Sequence, residues 1–257
     1  MYLVSIKRYN LTVEIQPGYY YVLECNSSDE YALDPIELVP LRAALGDHTY
    51  NSSTVKRCVL PARPLAELLS ALHPAAGDEI VTVKLDEPRG AVLDSIGLVS
   101  LRHFIIFRAA LRALPSAVFT APAMDHLVVR ETLEPLRLDE DSLRPATGVS
   151  VLRTLELSMD RINVLPPRVF VHLPELRRLY LWKNDLEVIT LDAFVGLKNL
   201  EELDLSRNRL KTIPQALCGI FPVLRSINLF NNSLIVVPQN AFTHCSALEI
   251  LKLNQGN

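Results

Sequence analysis

Hydrophobic positions recur at a fixed spacing through the second half of the chain. Leu152, Leu176, Leu200, Leu224 and Leu248 stand 24 residues apart, and each opens the same phrase: LRTLELSMDRI, LRRLYLWKNDL, LEELDLSRNRL, LRSINLFNNSL and a shorter LEILKLNQGN. Inside each phrase apolar residues alternate with variable ones, as at Leu179 and Leu181, which predicts a short strand with one face turned inward. The second half of the period repeats too. It places Phe170, Phe194 and Phe242 in one slot and Leu173 and Leu197 in another.

The phrase has the form L-x-x-L-x-L-x-x-N-x-L. The predicted architecture is therefore an α/β leucine-rich-repeat solenoid, a curved horseshoe with parallel strands on its concave face. Asn184, Asn208 and Asn232 take one position per coil. A buried amide both donates and accepts, so this column is expected to satisfy backbone groups where the chain leaves each strand. Asp160 holds that slot in the first regular coil and, when ionised, only accepts; it reads as a weak end to the ladder and not as a metal site. Upstream the pattern decays. Leu101 opens a coil with Ala109 in the asparagine slot, Met124 opens one of irregular length, and Ile80 begins a degenerate one. The expected organisation is an N-terminal cap over 1–79, degenerate repeats over 80–151 and regular repeats over 152–257, the last incomplete. The C-terminal end is expected to be truncated, as a piece of a longer array.

Alternation also names the residues that face away from the core. These are Arg178, Tyr180 and Trp182, then Glu202 and Asp204, then Asn228 and Phe230, with Thr154, Glu156 and Ser158 before them and His103, Phe107, His126 and Arg130 further upstream. Trp182 is the only tryptophan. Tyrosine, tryptophan and arginine dominate binding hot spots, so this face is the expected ligand-binding surface, centred on Tyr180 and Trp182. Glu202 and Asp204 would select a basic patch on a partner. His103 and His126 share one slot in successive coils, which reads as a common surface position and not as a metal pair.

Composition narrows the function classes. A net charge of −3 with no basic stripe argues against nucleic acid. No apolar run is long enough to span a bilayer, and MYLVSIKRYN is no secretory leader. Motifs for metalloprotease, serine hydrolase, Walker or dinucleotide sites are missing, and Asp139-Glu140-Asp141 reads as a solvated run. No catalytic residue, cofactor or metal is expected. Cys25 and Cys58 both fall in the cap and are expected to form a disulfide there; Cys218 and Cys245 occupy apolar slots of the repeats and read as buried free thiols. Sequons stand at Asn10, Asn26, Asn51 and Asn231. Together with the cap cysteines they favour an extracellular glycoprotein.

Two cap segments add a more specific signal. NLTVEIQPGYYYVLECN (Asn10 to Asn26) and VKRCVLPARPLAELLSAL (Val55 to Leu72) resemble the N-terminal cap of the arthropod Toll receptor family, and LWKN (Leu181 to Asn184) resembles one of its coils. The resemblance runs from about residue 10 onward; further cysteines expected before the cap are absent. It implies the N-terminal part of a receptor ectodomain of innate immunity and development, binding a Spätzle-like cystine-knot cytokine through its concave face, with receptor dimerisation on binding. It also implies a plasma-membrane anchor reached only through a missing C-terminal segment. The rival reading is a secreted or matrix leucine-rich-repeat protein, or a soluble decoy, with another protein partner.

Overall fold

The computed structural model describes residues 2–6, 11–16, 20–25, 52–56 and 82–86 as strands, and residues 100–114, 118–119, 121–145 and 148–253 throughout. The chain divides into two compact units, Met1–Ala110 with Pro115–Met124, and Leu111–Leu114 with Asp125–Asn257. The side chain of Cys25, all of Cys58, and the sequon asparagines Asn10, Asn26 and Asn51 lie outside the described residues.

Among the described residues the first unit carries β1 (Tyr2–Ile6), β2 (Leu11–Gln16), β3 (Tyr20–Cys25), β4 (Ser52–Lys56), β5 (Thr82–Asp86) and β6 (His103–Phe107). β1, β2 and β3 pair antiparallel; β3, β4, β5 and β6 pair parallel. Val83, Leu85, Phe104 and Ile106 supply its inward face.

The second unit carries β7 (His126–Arg130), β8 (Thr154–Ser158), β9 (Arg178–Tyr180), β10 (Glu202–Asp204), β11 (Ser226–Asn228) and β12 (Ile250–Lys252). All pair parallel in chain order. From β8 onward the register is the sequence period itself: Leu203 lies between Leu179 and Ile227. Two fully buried columns result, Leu127-Leu155-Leu179-Leu203-Ile227 and Val129-Leu157-Leu181-Leu205-Leu229. The return half of each coil is turns and short 3-10 helices, Leu191–Phe194 and Leu217–Ile220. There Phe170 and Phe194 stack at 5.9 Å and Phe221 meets Phe194 edge-on at 5.5 Å. Gly196 is required at its turn: its φ is +102°, and a Cβ would come within 2.9 Å of the Val171 backbone.

One expectation fails here. Cys218 and Cys245 are not free thiols; they form a disulfide with Cα atoms 5.1 Å apart. Cys218 takes the phenylalanine slot of its coil, and Cys245 stands one period plus three residues later. The return halves overlie at the 24-residue period, as Leu217 N–H donating to the Ala241 carbonyl shows, and Cys245 reaches Cys218 diagonally from the next coil. Phe221, in what is elsewhere a leucine slot, fills the volume that the small Cys218 leaves.

The asparagine column closes the turn after each strand. Asn184 Oδ1 accepts from the N–H groups of Asp160 and Ile162 at 3.0 and 3.1 Å, while its Nδ2 donates to the carbonyls of Leu157 and Leu181. Asn208 and Asn232 repeat the arrangement one and two coils on. Asp160 performs only half of it. Its Oδ1 accepts from Thr132 N–H at 3.0 Å, but its buried Oδ2, in the position of the amide nitrogen, has no partner. Burial raises the Asp160 carboxyl to about 7; the Thr132 hydrogen bonds oppose this, nearby Glu156 adds to it and Arg130 opposes it. Arg161, the adjoining cation, donates to the carbonyls of Thr132 and Leu133. A protonated Oδ2 restores the missing donor.

The pH consequence has a definite sign. The unfolded chain releases the Asp160 proton near the ordinary value of about 4, whereas the folded chain keeps it until about 7. Stability from this group is therefore greatest below pH ~4, falls as pH rises to ~7, and is flat above. Asp160→Asn is expected to remove that decline, gaining on the parent by a few kcal/mol at pH 7 and much less at pH 4. Denaturant melts across this range check it; a gain independent of pH would contradict it.

Candidate strand-face site

Opposite the leucine columns, the strands of the second unit present a second set of columns. His126, Thr154, Arg178, Glu202 and Ser226 form one; Val128, Glu156, Tyr180, Asp204 and Asn228 form the next. Arg130 and Ser158 pair in a third, which Trp182, Ser206 and Phe230 continue at the same point of later coils. Adjacent strands lie about 5 Å apart, so side chains one coil apart touch readily.

These side chains are bonded to one another across coils. The Arg130 guanidinium donates twice to the Glu156 carboxylate, at 2.5 and 2.6 Å, and the Trp182 indole N–H donates to Glu156 at 2.9 Å. The Arg130 guanidinium lies 5.9 Å from the Trp182 ring centroid, within cation–π range. Glu156 is 5% exposed. A carboxylate this deep requires a cation and donors around it, and its two neighbouring coils supply them. The Glu156 hydrogen bonds in turn hold Arg130 still more firmly charged than usual.

The same cross-coil logic continues along the face. Arg178 Nε donates to Thr154 Oγ1 at 3.1 Å, and the Tyr180 hydroxyl donates to Glu202 at 2.9 Å. Burial, with the Glu202 bond second, pushes the Tyr180 phenol up to about 12, so it remains a donor at neutral pH. Asn228 Nδ2 donates to Asp204 at 2.9 Å, and the other Asp204 oxygen accepts from Ser206 N–H at 2.8 Å. His126 Nδ1 lies 2.7 Å from Asp125. Phe230 is 51% exposed. In the first unit, His103 Nδ1 is 3.0 Å from Thr82 Oγ1, and Lys84 Nζ lies 4.7 Å from the Phe107 ring centroid.

The structure departs from alternation at β8. Thr154, Glu156 and Ser158 point away from the core, yet all five residues of the strand are buried. Their short or paired side chains lie beneath the longer Arg130, Arg178 and Trp182 of the flanking coils. Glu156, the hub of this face, is the residue that hot-spot reasoning passes over. Its signal was present: a carboxylate with an arginine one coil before it and the sole tryptophan one coil after. The run Asp139–Asp141 is exposed, with Asp141 3.2 Å from Arg144.

Arg130→Ala would leave Glu156 buried with one donor. The expected cost is about 2–4 kcal/mol, reduced when Glu156→Gln is added. Chemical denaturation of the two variants checks this, and additive losses would show that the two groups are not coupled.

Similar proteins share this architecture. Residues 174–234 match the family described as Leucine rich repeat. No curated protein matches the chain. Among solved structures, a chain of the Toll–Spatzle complex, titled a molecular hub in Drosophila development and innate immunity (glycosylated form), is 23% identical with a TM-score of 0.73; the alignment covers 95% of this chain and 32% of that one. The TLR13–ssRNA13 complex gives 19% identity and a TM-score of 0.70, covering 91% and 31%. InlP of Listeria monocytogenes gives 20% and 0.54, covering 86% and 57%. The chain thus spans about a third of the first two. What these proteins have in common with it is the fold, and that fold is the leucine-rich-repeat solenoid.

Proposed function

We propose that this chain is the ligand-binding part of an extracellular, Toll-like receptor ectodomain, and that it binds a Spätzle-like cystine-knot cytokine. The observation that carries the reading is the strand face of the second unit. Its aromatic and charged side chains are held in place by hydrogen bonds before any partner arrives, so little side-chain entropy is lost on binding. Supporting the ligand class are the cap motifs and the likeness to a chain of the Toll–Spatzle complex over most of this chain's length. The Cys218–Cys245 disulfide supports an oxidising compartment. A net charge of −3 and carboxylates along the face favour a protein ligand over nucleic acid. In this reading 1–79 caps the array, 80–151 are degenerate repeats and 152–257 regular ones; Cys25–Cys58 staples the cap, and Asn10, Asn26, Asn51 and the exposed Asn231 accept glycans. Among the described residues no helix is long and apolar enough to cross a membrane.

The test is calorimetric titration of the glycosylated, disulfide-intact chain with processed Spätzle-like cytokine from the same source. Saturable binding is expected, weakened by about 2 kcal/mol or more in Tyr180→Ala/Trp182→Ala. Since Trp182 also covers Glu156, that double variant is expected to melt earlier than the parent while remaining folded at the temperature of the assay. Binding unchanged in the folded variant would move the site off this face; no binding by the parent would favour the secreted or matrix reading.

A further inference from the structure

Cations of the regular coils repeatedly find a carboxylate in the same slot one coil away. Arg177 pairs with Glu201 at 2.6 Å, Arg209 with Asp185 at 2.7 Å, Lys211 with Glu187 at 3.2 Å and Arg225 with Glu249 at 2.7 Å. The row just before the ladder departs from this pattern. Glu131, Met159, Lys183, Arg207 and Asn231 occupy the position just before the ladder, all with φ between 55° and 64°. Their backbones are tied to the next coil: Met159 N–H donates to Trp182, Lys183 N–H to Ser206 and Arg207 N–H to Phe230 carbonyls. Lys183 and Arg207 thus stand one strand spacing apart, both exposed, with uncharged Met159 and Asn231 on either side of them; the carboxylate of the row, Glu131, lies one coil beyond Met159. Acidic groups of the same coils are committed elsewhere. Asp185 holds Arg209, Glu202 accepts from Tyr180, and Asp204 accepts from Asn228 and Ser206.

The backbone sets Lys183 and Arg207 on neighbouring strands, where an anion could meet both side chains at once and relieve their screened repulsion. Beside this row run Trp182, half-buried, and Phe230, half-exposed. Aromatic rings with an arginine beside them have the composition of an interface centre, and a lysine next to them suits its charged margin. We propose that Lys183 and Arg207, flanked by Trp182 and Phe230, form a docking edge for an acidic segment of a protein partner that also carries an apolar side chain. The proposal rests on the reading of this unit as a protein-binding module. It adds the chemistry of the partner: carboxylates bridging Lys183 and Arg207, and an apolar residue against the aromatic row. The carboxylates of the strand face, each held by its own neighbours, then serve to set the aromatic side chains.

The test uses the full disulfide-intact chain and two probes: processed Spätzle-like cytokine, and a synthetic twelve-residue Asp/Glu peptide with a central Phe, beside its Lys-for-Glu counterpart. The variants are Lys183→Glu/Arg207→Glu and the milder Lys183→Gln/Arg207→Gln, which keep a Cβ at both left-handed positions; thermal melts confirm that each is folded. The acidic peptide is expected to bind the parent, to lose tenfold or more in the charge-reversed variant and less in the Gln variant, and to weaken with salt; the basic peptide is expected not to bind. Equal affinity of parent and charge-reversed chain for the acidic peptide overturns the edge, as does absence of binding. A single-stranded oligoribonucleotide serves as competitor, and its binding in preference to the acidic peptide overturns the edge as well. Cytokine binding that ignores the charge reversal removes the edge and leaves the receptor reading standing. Acidic-peptide binding without cytokine binding does the opposite.

Discussion

Three successive coils of the second unit leave their strands through a single buried side-chain amide. At that point the backbone exposes donors and acceptors inside the protein, with no room for a regular hydrogen-bond partner. Asn184, Asn208 and Asn232 satisfy them from both ends of one planar group. The cost of leaving such groups unpaired is about 1–3 kcal/mol each, so the turn is feasible only with that amide or its equivalent. Once the turns are fixed, the strands fall into register, the leucine columns close, and the outer columns acquire neighbours at fixed spacing. Asp160 marks where this rule is half kept, beside the irregular coil that precedes the regular array.

The outer face follows from that register. A carboxylate as deep as Glu156 survives because Arg130 and Trp182 arrive from the coils on either side at the right height. Tyr180 with Glu202 and Arg178 with Thr154 are smaller cases of the same geometry. The result is a surface whose large side chains are already oriented. At Lys183 and Arg207 two cations of neighbouring coils have no carboxylate beside them, and the proposed docking edge uses that charge.

Much of this was legible from spacing. The 24-residue period names the inward columns, the amide column and the outward face, because one strand per coil makes sequence offset and spatial neighbour the same thing. What alternation could not convey was how far a long side chain reaches over the next coil. β8 therefore reads as exposed and is buried. The Cys218–Cys245 bridge was hidden for a related reason: each cysteine fits an apolar slot by itself, and their pairing depends on how the return halves overlie, where turns and not strands set the distance. The proposed ligand chemistry was the least legible, since it rests on which side chains lack an internal partner.

The central claim is that a protein ligand covers the strand face and the edge beside it. Hydrogen-exchange mass spectrometry of the chain with and without processed Spätzle-like cytokine tests this most directly. The account predicts added protection over Arg178–Lys183, Glu202–Arg207 and Ser226–Asn231, with the turns at Leu191–Phe194 and Leu217–Ile220 unchanged. Protection concentrated on those return-half turns, with the strand segments unaffected, would contradict it.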